Sequence, residues 1–359
     1  MCKTYNTIGS LTTLKSGLEQ NNIHDFKSIN EVIAFQKSYS TFRQQLISHH
    51  ENLIEQEKEI LYLDLPILNT TIETQRQQEA KRLGDEIDEL KQQMNIGQTN
   101  TSVNFFQRLA SDLKHWDYKR KIKRKERNLE TNIEMSIAKL IDDYQIKNNR
   151  YQFLISHFNE AVSESAQHPL SELERKKVTI DGLNNFIYGA LGEQKVVKTL
   201  ESLSDEYFLI NDFVVSFSPA IYNRQENDYI KSVQIDHILV APSGIFIIET
   251  KNWSEKSLEN LNLRSPVEQI KRTNFVLFYL LNNEKSKYHL RLDKHHWGNK
   301  KIPIKNLIVL TKTKPKEEFQ HVKILTINEL ISYVNYFKPI FSFAETKKIA
   351  EMILQINKR

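Results

Sequence analysis

The chain has 359 residues, 26% charged and 39% hydrophobic, with 50 Lys and Arg against 45 Asp and Glu and a net charge of +5. That length suffices for about two or three domains with at least one full core, and the mild charge permits a polyanionic partner without demanding one. A single cysteine, Cys2, excludes an internal disulfide framework and any multi-cysteine zinc site.

The lack of a long apolar run argues against a membrane span, and the first residues, from Met1 to Asn6, lack the apolar core of a signal peptide. A cytoplasmic protein is expected, with Cys2 at a frayed terminus and without a role. Glycine and proline are scarce, nine and eight in the whole chain, which predicts long regular elements, helices above all.

Up to about Tyr188 the pattern is helical. Leu46, Leu53 and Ile60 recur every seven residues, as do Ile47, Ile54 and Leu61, and Pro66 is expected to interrupt this first helix. Leu83, Ile87, Leu90 and Met94 form a heptad-like seam, Gly97–Ser102 reads as a turn, and Leu129, Ile133, Ile137, Leu140 and Tyr144 form a further seam. Such stripes need a partner helix. An antiparallel hairpin or coiled-coil arm is expected, packed on itself or on a second copy of the chain.

Within the arm, Lys119, Arg120, Lys121, Lys123, Arg124, Lys125 and Arg127 crowd around one acid, Glu126. A solvated helix face accounts for such a run. The sharper reading is a phosphate-contacting stripe, since clustered cations displace counterions from nucleic acid, and Trp116 and Tyr118 could stack on bases.

After Asp181-Gly182 the period changes. A helix is predicted over 184–204, then strands over 208–217, 233–241 and 245–251. A helix over 266–281 follows, then strands over 305–311 and 322–326, and two closing helices over 328–337 and 345–357. This order describes a mixed sheet flanked by helices.

The chemistry concentrates at a hairpin. Two β-branched strands, Gln234 to Ala241 and Ile245 to Asn252, are joined by Pro242-Ser243-Gly244. Both faces are apolar, yet Asp236, Glu249 and Lys251 stand at the open end, and a buried carboxylate is costly unless paired or metal-bound. Glu249 and Lys251 share a face because they are two apart. An even-numbered loop, Ser243-Gly244 or Pro242 to Ile245, pairs Asp236 with Lys251 and gathers all three; an odd loop sends Asp236 to the other face.

A third acid comes from the preceding helix. Phe186, Ala190, Glu193, Val197 and Leu200 fall on one helical face, so Glu193 turns toward the sheet. Gly189 and Gly192 would let that helix approach closely. Three hard oxygen ligands suit Mg²⁺ or Mn²⁺ better than zinc. A structural salt bridge explains a lone Glu-x-Lys; its combination with Asp236 and an inward-facing Glu193 favours a metal site over that reading.

Three motifs taken together, Gly189-Ala190-Leu191-Gly192-Glu193, Gln234-Ile235-Asp236-His237 and Gly244 to Asn252, resemble the NERD domain, the nuclease-related domain of the PD-(D/E)XK superfamily, over roughly Tyr188 to Lys312. Together with the helical periodicity of the first half, the resemblance gives an α+β chain in two parts. Residues 1–177 would form an all-α, coiled-coil-like arm, and residues 178–359 an α/β PD-(D/E)XK nuclease domain with C-terminal helices. It also implies phosphodiester hydrolysis. Asp236 and Glu249 would hold the metal, Glu193 would bind it directly or through water, Lys251 would orient the attacking water, and Gln269 would position substrate or Lys251.

The polar segments 218–231 and 282–301 would be substrate-contacting insertions. The leading reading is a DNA endonuclease, with DNA ahead of RNA, acting as a homo-oligomer through the arm. By analogy alone, defence against phage or plasmids is its context. The alternatives are a non-catalytic nucleic-acid-binding module and a coiled-coil scaffold with an inherited nuclease fold.

Other motifs add little. His289, His295, His296 and Trp297 sit in a basic loop with Lys294 and Lys300 that reads as solvated, and His49-His50 lies on a polar helix. His237, beside Asp236, is expected to be packed or hydrogen-bonded rather than catalytic. No phosphate loop and no serine-hydrolase elbow occurs.

Overall fold

The computed structural model describes residues 1–96, 105–253, 264–284, 294–295, 298–299, 301–315 and 317–357. The turn at Gly97–Ser102 lies outside these residues, as do His289, His296 and Trp297 and the side chains of Lys294 and His295. Two compact units are present: Met1–Lys37 with Arg175–Arg359, and Ser38–Glu174. Among the described residues no helix is long and apolar enough to cross a membrane.

Three helices supply the second unit, α2 (Ile29–Ile96), α3 (Phe105–Ser156) and α4 (Phe158–Gly182). Ion pairs join Glu57 to Arg150 at 2.8 Å, Asp64 to Lys147 at 2.7 Å and Arg76 to Glu134 at 2.9 Å, and Glu86 to Lys125 in a short contact. Partners climb α2 as they descend α3, so the two helices are antiparallel. Ile54, Leu61, Leu154, Ala161 and Val162 form a common core.

Pro66 does not end the first helix; α2 runs through it. A proline removes one helical N–H and crowds the carbonyl four residues back, at about 3 kcal/mol. Pro66 is exposed, and burial of Leu61, Leu65 and Ile72 on another side carries the helix across it. A second stripe stays bare: Leu53, Ile60, Leu63 and Ile67 are 41%, 59%, 64% and 66% exposed.

The first unit is built on a mixed sheet. Its strands are β1 (Lys3–Tyr5), β2 (Phe208–Asn223), β3 (Asp228–Ala241), β4 (Gly244–Lys251), β7 (Ile304–Leu310) and β8 (Lys323–Thr326). They lie in the order β1-β2-β3-β4-β7-β8 among the described residues. β2, β3 and β4 are antiparallel neighbours, while β1 joins β2, and β7 and β8 extend β4, in parallel. Short strands β5 (Lys294–His295) and β6 (Gly298–Asn299) pair separately.

Side-chain alternation splits the core in two. Ile245 and Ile247 of β4 face a cluster with α6 (Arg264–Glu284) and α8 (Phe343–Asn357), through residues such as Val276, Leu277, Ile349 and Ile353. Phe246 and Ile248 face α5 (Asn184–Leu200) and α7 (Ile327–Asn335), through Val196, Leu200, Leu330 and Val334. β2 and β3 continue as one long hairpin through residues 218–231, with Ile221 opposite Ile230 and Tyr222 opposite Tyr229.

The N-terminal residues belong with the sheet rather than with the arm, where the sequence reading placed them. β1 adds to the sheet edge through Lys3–Phe208, Thr4–Leu209 and Tyr5–Ile210. α1 (Gly9–Gln20) follows it, burying Leu14 and Leu18. Cys2 is not frayed: it is buried with Val196, Leu200 and Leu209, and burial pushes its thiol pKa up to about 11.

Candidate active site

β3 and β4 meet through Pro242-Ser243, with Ala241 paired to Gly244. The loop is even-numbered, so the three charged residues of the hairpin share a face, but it sits one residue earlier than Ser243-Gly244. His237 therefore lies opposite Ile248, which brings Asp236 level with Glu249 instead of Lys251. Gly244 causes the shift. Its φ of +124° favours glycine, and a Cβ there would lie 2.6 Å from the Pro303 carbonyl oxygen. That same oxygen accepts the Ile245 N–H at 2.9 Å.

The ladder opens on both flanks of Asp236. Toward β2, pairing passes from Asn211–His237 to Phe213–Ile235, skipping Asp212, whose φ of 49° is left-handed. Toward β4, pairing stops at His237–Ile248, and Thr250 N–H donates instead to Asp236 Oδ2 at 2.7 Å. A side-chain carboxylate thus replaces a backbone acceptor where the strands part.

Glu249 is buried and Lys251 half-buried. Lys251 Nζ donates to Glu249 Oε1 at 2.7 Å. Glu193 is buried on α5, which packs on the Thr250 side of β4: a Cβ at Gly192 would lie 3.0 Å from Asn252 Cβ and 3.3 Å from Thr250 Cγ2. Asn252 Nδ2 fastens this approach by donating to the Tyr188 carbonyl at 2.8 Å. Glu193 itself accepts the Ser10 hydroxyl.

Electrostatics join the four groups. Burial raises the Asp236 pKa well above the carboxylate range, and Glu249 and Glu193 add to it, against the Thr250 N–H and Lys251. Burial also raises Glu193, with Ser10 opposing and Asp212 and Glu249 reinforcing. Burial works against the Lys251 ammonium, yet Glu249, Asp236 and Glu193 outweigh it and raise its pKa. Three carboxylates thus act on one ammonium, which contacts Glu249 alone, and the surplus of acidic groups suits a further cation.

As they stand, the carboxylates are each turned to a donor. No group of three or more His, Cys, Asp or Glu side chains among the described residues is placed to hold a metal ion. Gln269 is exposed and lines a groove of about 520 Å³ with Asn223, Asp228, Glu268 and Arg272. No hydrogen bond among the described residues brings it to Lys251. His237 is packed, as expected: fully buried, with Nδ1 donating to Asn211 Oδ1 at 2.7 Å, and with its pKa lowered by burial to about 3.

The basic run lies on α3 with Lys119, Arg120, Lys121, Lys123, Arg124 and Arg127 exposed and Lys125 half-buried. Lys125 pairs with Glu86, Lys121 with Asp117 at 2.8 Å, and Arg120 lies 5.6 Å from the exposed Trp116 ring. Lys119, Lys123, Arg124 and Arg127 carry no ion pair among the described residues.

Sequence reasoning missed Ser10 and Asp212. A helix signal was present at Ser10, with Leu11, Leu14 and Leu18 spaced for one face, but nothing in the local pattern ties it to Glu193. No curated protein and no solved structure matches the chain. A family model does match, over residues 188–311, a span that holds Glu193, Asp236, Glu249, Lys251 and Gln269. The carboxylates of this candidate site therefore lie within the segment that matches the model of the nuclease-related domain, NERD.

Proposed function

We propose that the chain is a metal-dependent phosphodiesterase that cleaves nucleic acid, with DNA as substrate ahead of RNA. The observation that carries this reading is the Glu249–Lys251 pair beside Asp236 where the strand ladder opens, with Glu193 close enough to act electrostatically on Asp236 and Lys251. The donor set fits Mg²⁺ or Mn²⁺, being hard oxygens in a surplus of negative charge. Asp236 and Glu249 would hold the ion, and Glu193 would bind it directly or through water. Once bound, the ion polarises the phosphate and lowers the pKa of a coordinated water.

The chain's own groups divide the remaining work. Thr250 N–H fixes the Asp236 carboxylate. Lys251, kept charged by its acidic neighbours, does not take a proton from water; it orients the water and stabilises charge building on the phosphorus oxygens. Purified protein with Mg²⁺ is expected to nick plasmid DNA, and EDTA is expected to stop it. Failure to cut DNA or RNA in either Mg²⁺ or Mn²⁺ would overturn the proposal. Salt-sensitive binding without cleavage would favour a second reading, a binding module, which the carboxylates' existing partners support.

The arm serves assembly in this reading. Leu53, Ile60, Leu63 and Ile67 fall on one face of α2 at heptad-like spacing and are exposed, which supports a homo-oligomer. The cations of α3 that carry no ion pair among the described residues support a second phosphate contact. Sedimentation of the full chain at tens of micromolar, roughly where dimers of standard interface size have formed, is expected to show an oligomer that Ile60→Ser with Ile67→Ser dissociates. A monomeric wild type would return the arm to an isolated bundle.

A further inference from the structure

Glu193 has a partner from a distant part of the sequence. α1 begins at Gly9, and Ser10, its second residue, donates its hydroxyl to Glu193 Oε1 in a short hydrogen bond. The Ser10 backbone N–H faces Glu193 Oε2 at 3.5 Å. Amides in the first turn of a helix have no intrahelical acceptor, so a carboxylate placed there gains their field.

Room for this contact is built in on both sides. A Cβ at Gly189, one turn before Glu193, would lie 2.7 Å from Ser10 Oγ. A Cβ at Gly9 would lie 2.7 Å from Asp212 Oδ1, which also accepts Gln234 Nε2 at 2.7 Å. Both glycines let α1 settle against α5 and the opened ladder. The segment that matches the nuclease-related domain starts at residue 188, so Ser10 lies outside it.

We propose that Ser10 is a positioning residue of the metal site, holding one oxygen of Glu193 so that the carboxylate presents its remaining lone pairs toward Asp236 and Glu249. This rests on the metal-dependent reading above. The choice of a hydroxyl is informative. A Lys or Arg at this place would neutralise Glu193 and compete with the ion, whereas a neutral donor orients the carboxylate and leaves its charge available. A carboxylate has about four acceptor positions; the Ser10 hydroxyl takes one on Oε1 and its N–H a longer one on Oε2, leaving the others. Partners of this kind tune a ligand through its orientation.

The test uses the full chain and Mn²⁺ alone, with free Mn²⁺ followed by its paramagnetic resonance signal. Ser10→Ala is expected to weaken Mn²⁺ binding roughly tenfold or more. Cys2 reports whether the N-terminal segment stays docked, since its thiol is buried with a pKa near 11 and resists alkylation until released. Protected Cys2 together with weakened Mn²⁺ binding supports the proposal. Unchanged Mn²⁺ affinity in Ser10→Ala overturns it and leaves the metal site standing. Weakened binding with Cys2 newly reactive also overturns it, because the loss then comes from undocking. A wild type that binds no Mn²⁺ overturns the metal reading, and this inference with it.

Discussion

Lys251→Ala is expected to lower plasmid cleavage in Mg²⁺ by about 10²–10³-fold or more, the effect of removing one electrostatic stabiliser of a developing oxyanion. Asp236→Ala and Glu249→Ala are expected to abolish it. Stability separates these variants by degree. Removing Asp236 or Glu249 relieves repulsion among the acids. This offsets the loss of the acceptor for the Thr250 N–H or the Lys251 ammonium, so without metal the melting temperature changes little. Removing Lys251 takes away the ammonium bonded to buried Glu249, and a stranded buried acceptor costs on the order of 1–3 kcal/mol. Lys251→Ala should therefore melt lower, and its cleavage rate should be read well below that temperature. A Lys251→Ala protein that cuts at the wild-type rate would sink the assignment.

Gly244→Ala is the second large effect, and it acts through the backbone. The residue sits at φ +124°, and an added Cβ would lie 2.6 Å from the Pro303 carbonyl oxygen. The backbone conformation alone costs on the order of 1–3 kcal/mol for a residue with a side chain, and the contact with a backbone oxygen cannot be relieved by a rotamer change. The turn also sets which residue of β4 stands level with Asp236. Denaturant unfolding should show a loss of about 2 kcal/mol or more, with cleavage reduced beyond what the unfolded fraction explains. Wild-type stability in this variant would mean that the turn tolerates another geometry.

Much of this site was legible because its signals are local. The period-two strands, the even loop and the inward turn of Glu193 each depend on residues a few positions apart, although the buried helical face holds Ile187 and Val196 where Phe186 and Val197 were expected. The register was not legible to the residue, since whether Gly244 lies in the loop or in the strand depends on Pro303, on a distant segment. Pro66 misled for a related reason: its local cost is real, but burial along the rest of α2 outweighs it. β1 and α1 escaped notice because three residues of strand carry little pattern, and only their partners in β2 and α5 reveal what they do.

That pairing of Lys3 with Phe208 sets a timetable for the nascent chain. At about 5–20 residues per second, synthesis takes roughly 10–40 s to pass from one strand to the other. The first strand and helix therefore wait at the ribosome with no sheet to join, while the helices of the arm can close on themselves. The thermodynamic penalty is small, since closing a span ten times longer adds only about 2 kcal/mol, but long-range pairing is slow to find. The carboxylate cluster is then among the last features to assemble, and Glu193 meets Ser10 only when the sheet exists to receive both. On the metal-dependent reading proposed above, a chain still being made would carry the candidate ligands without their geometry.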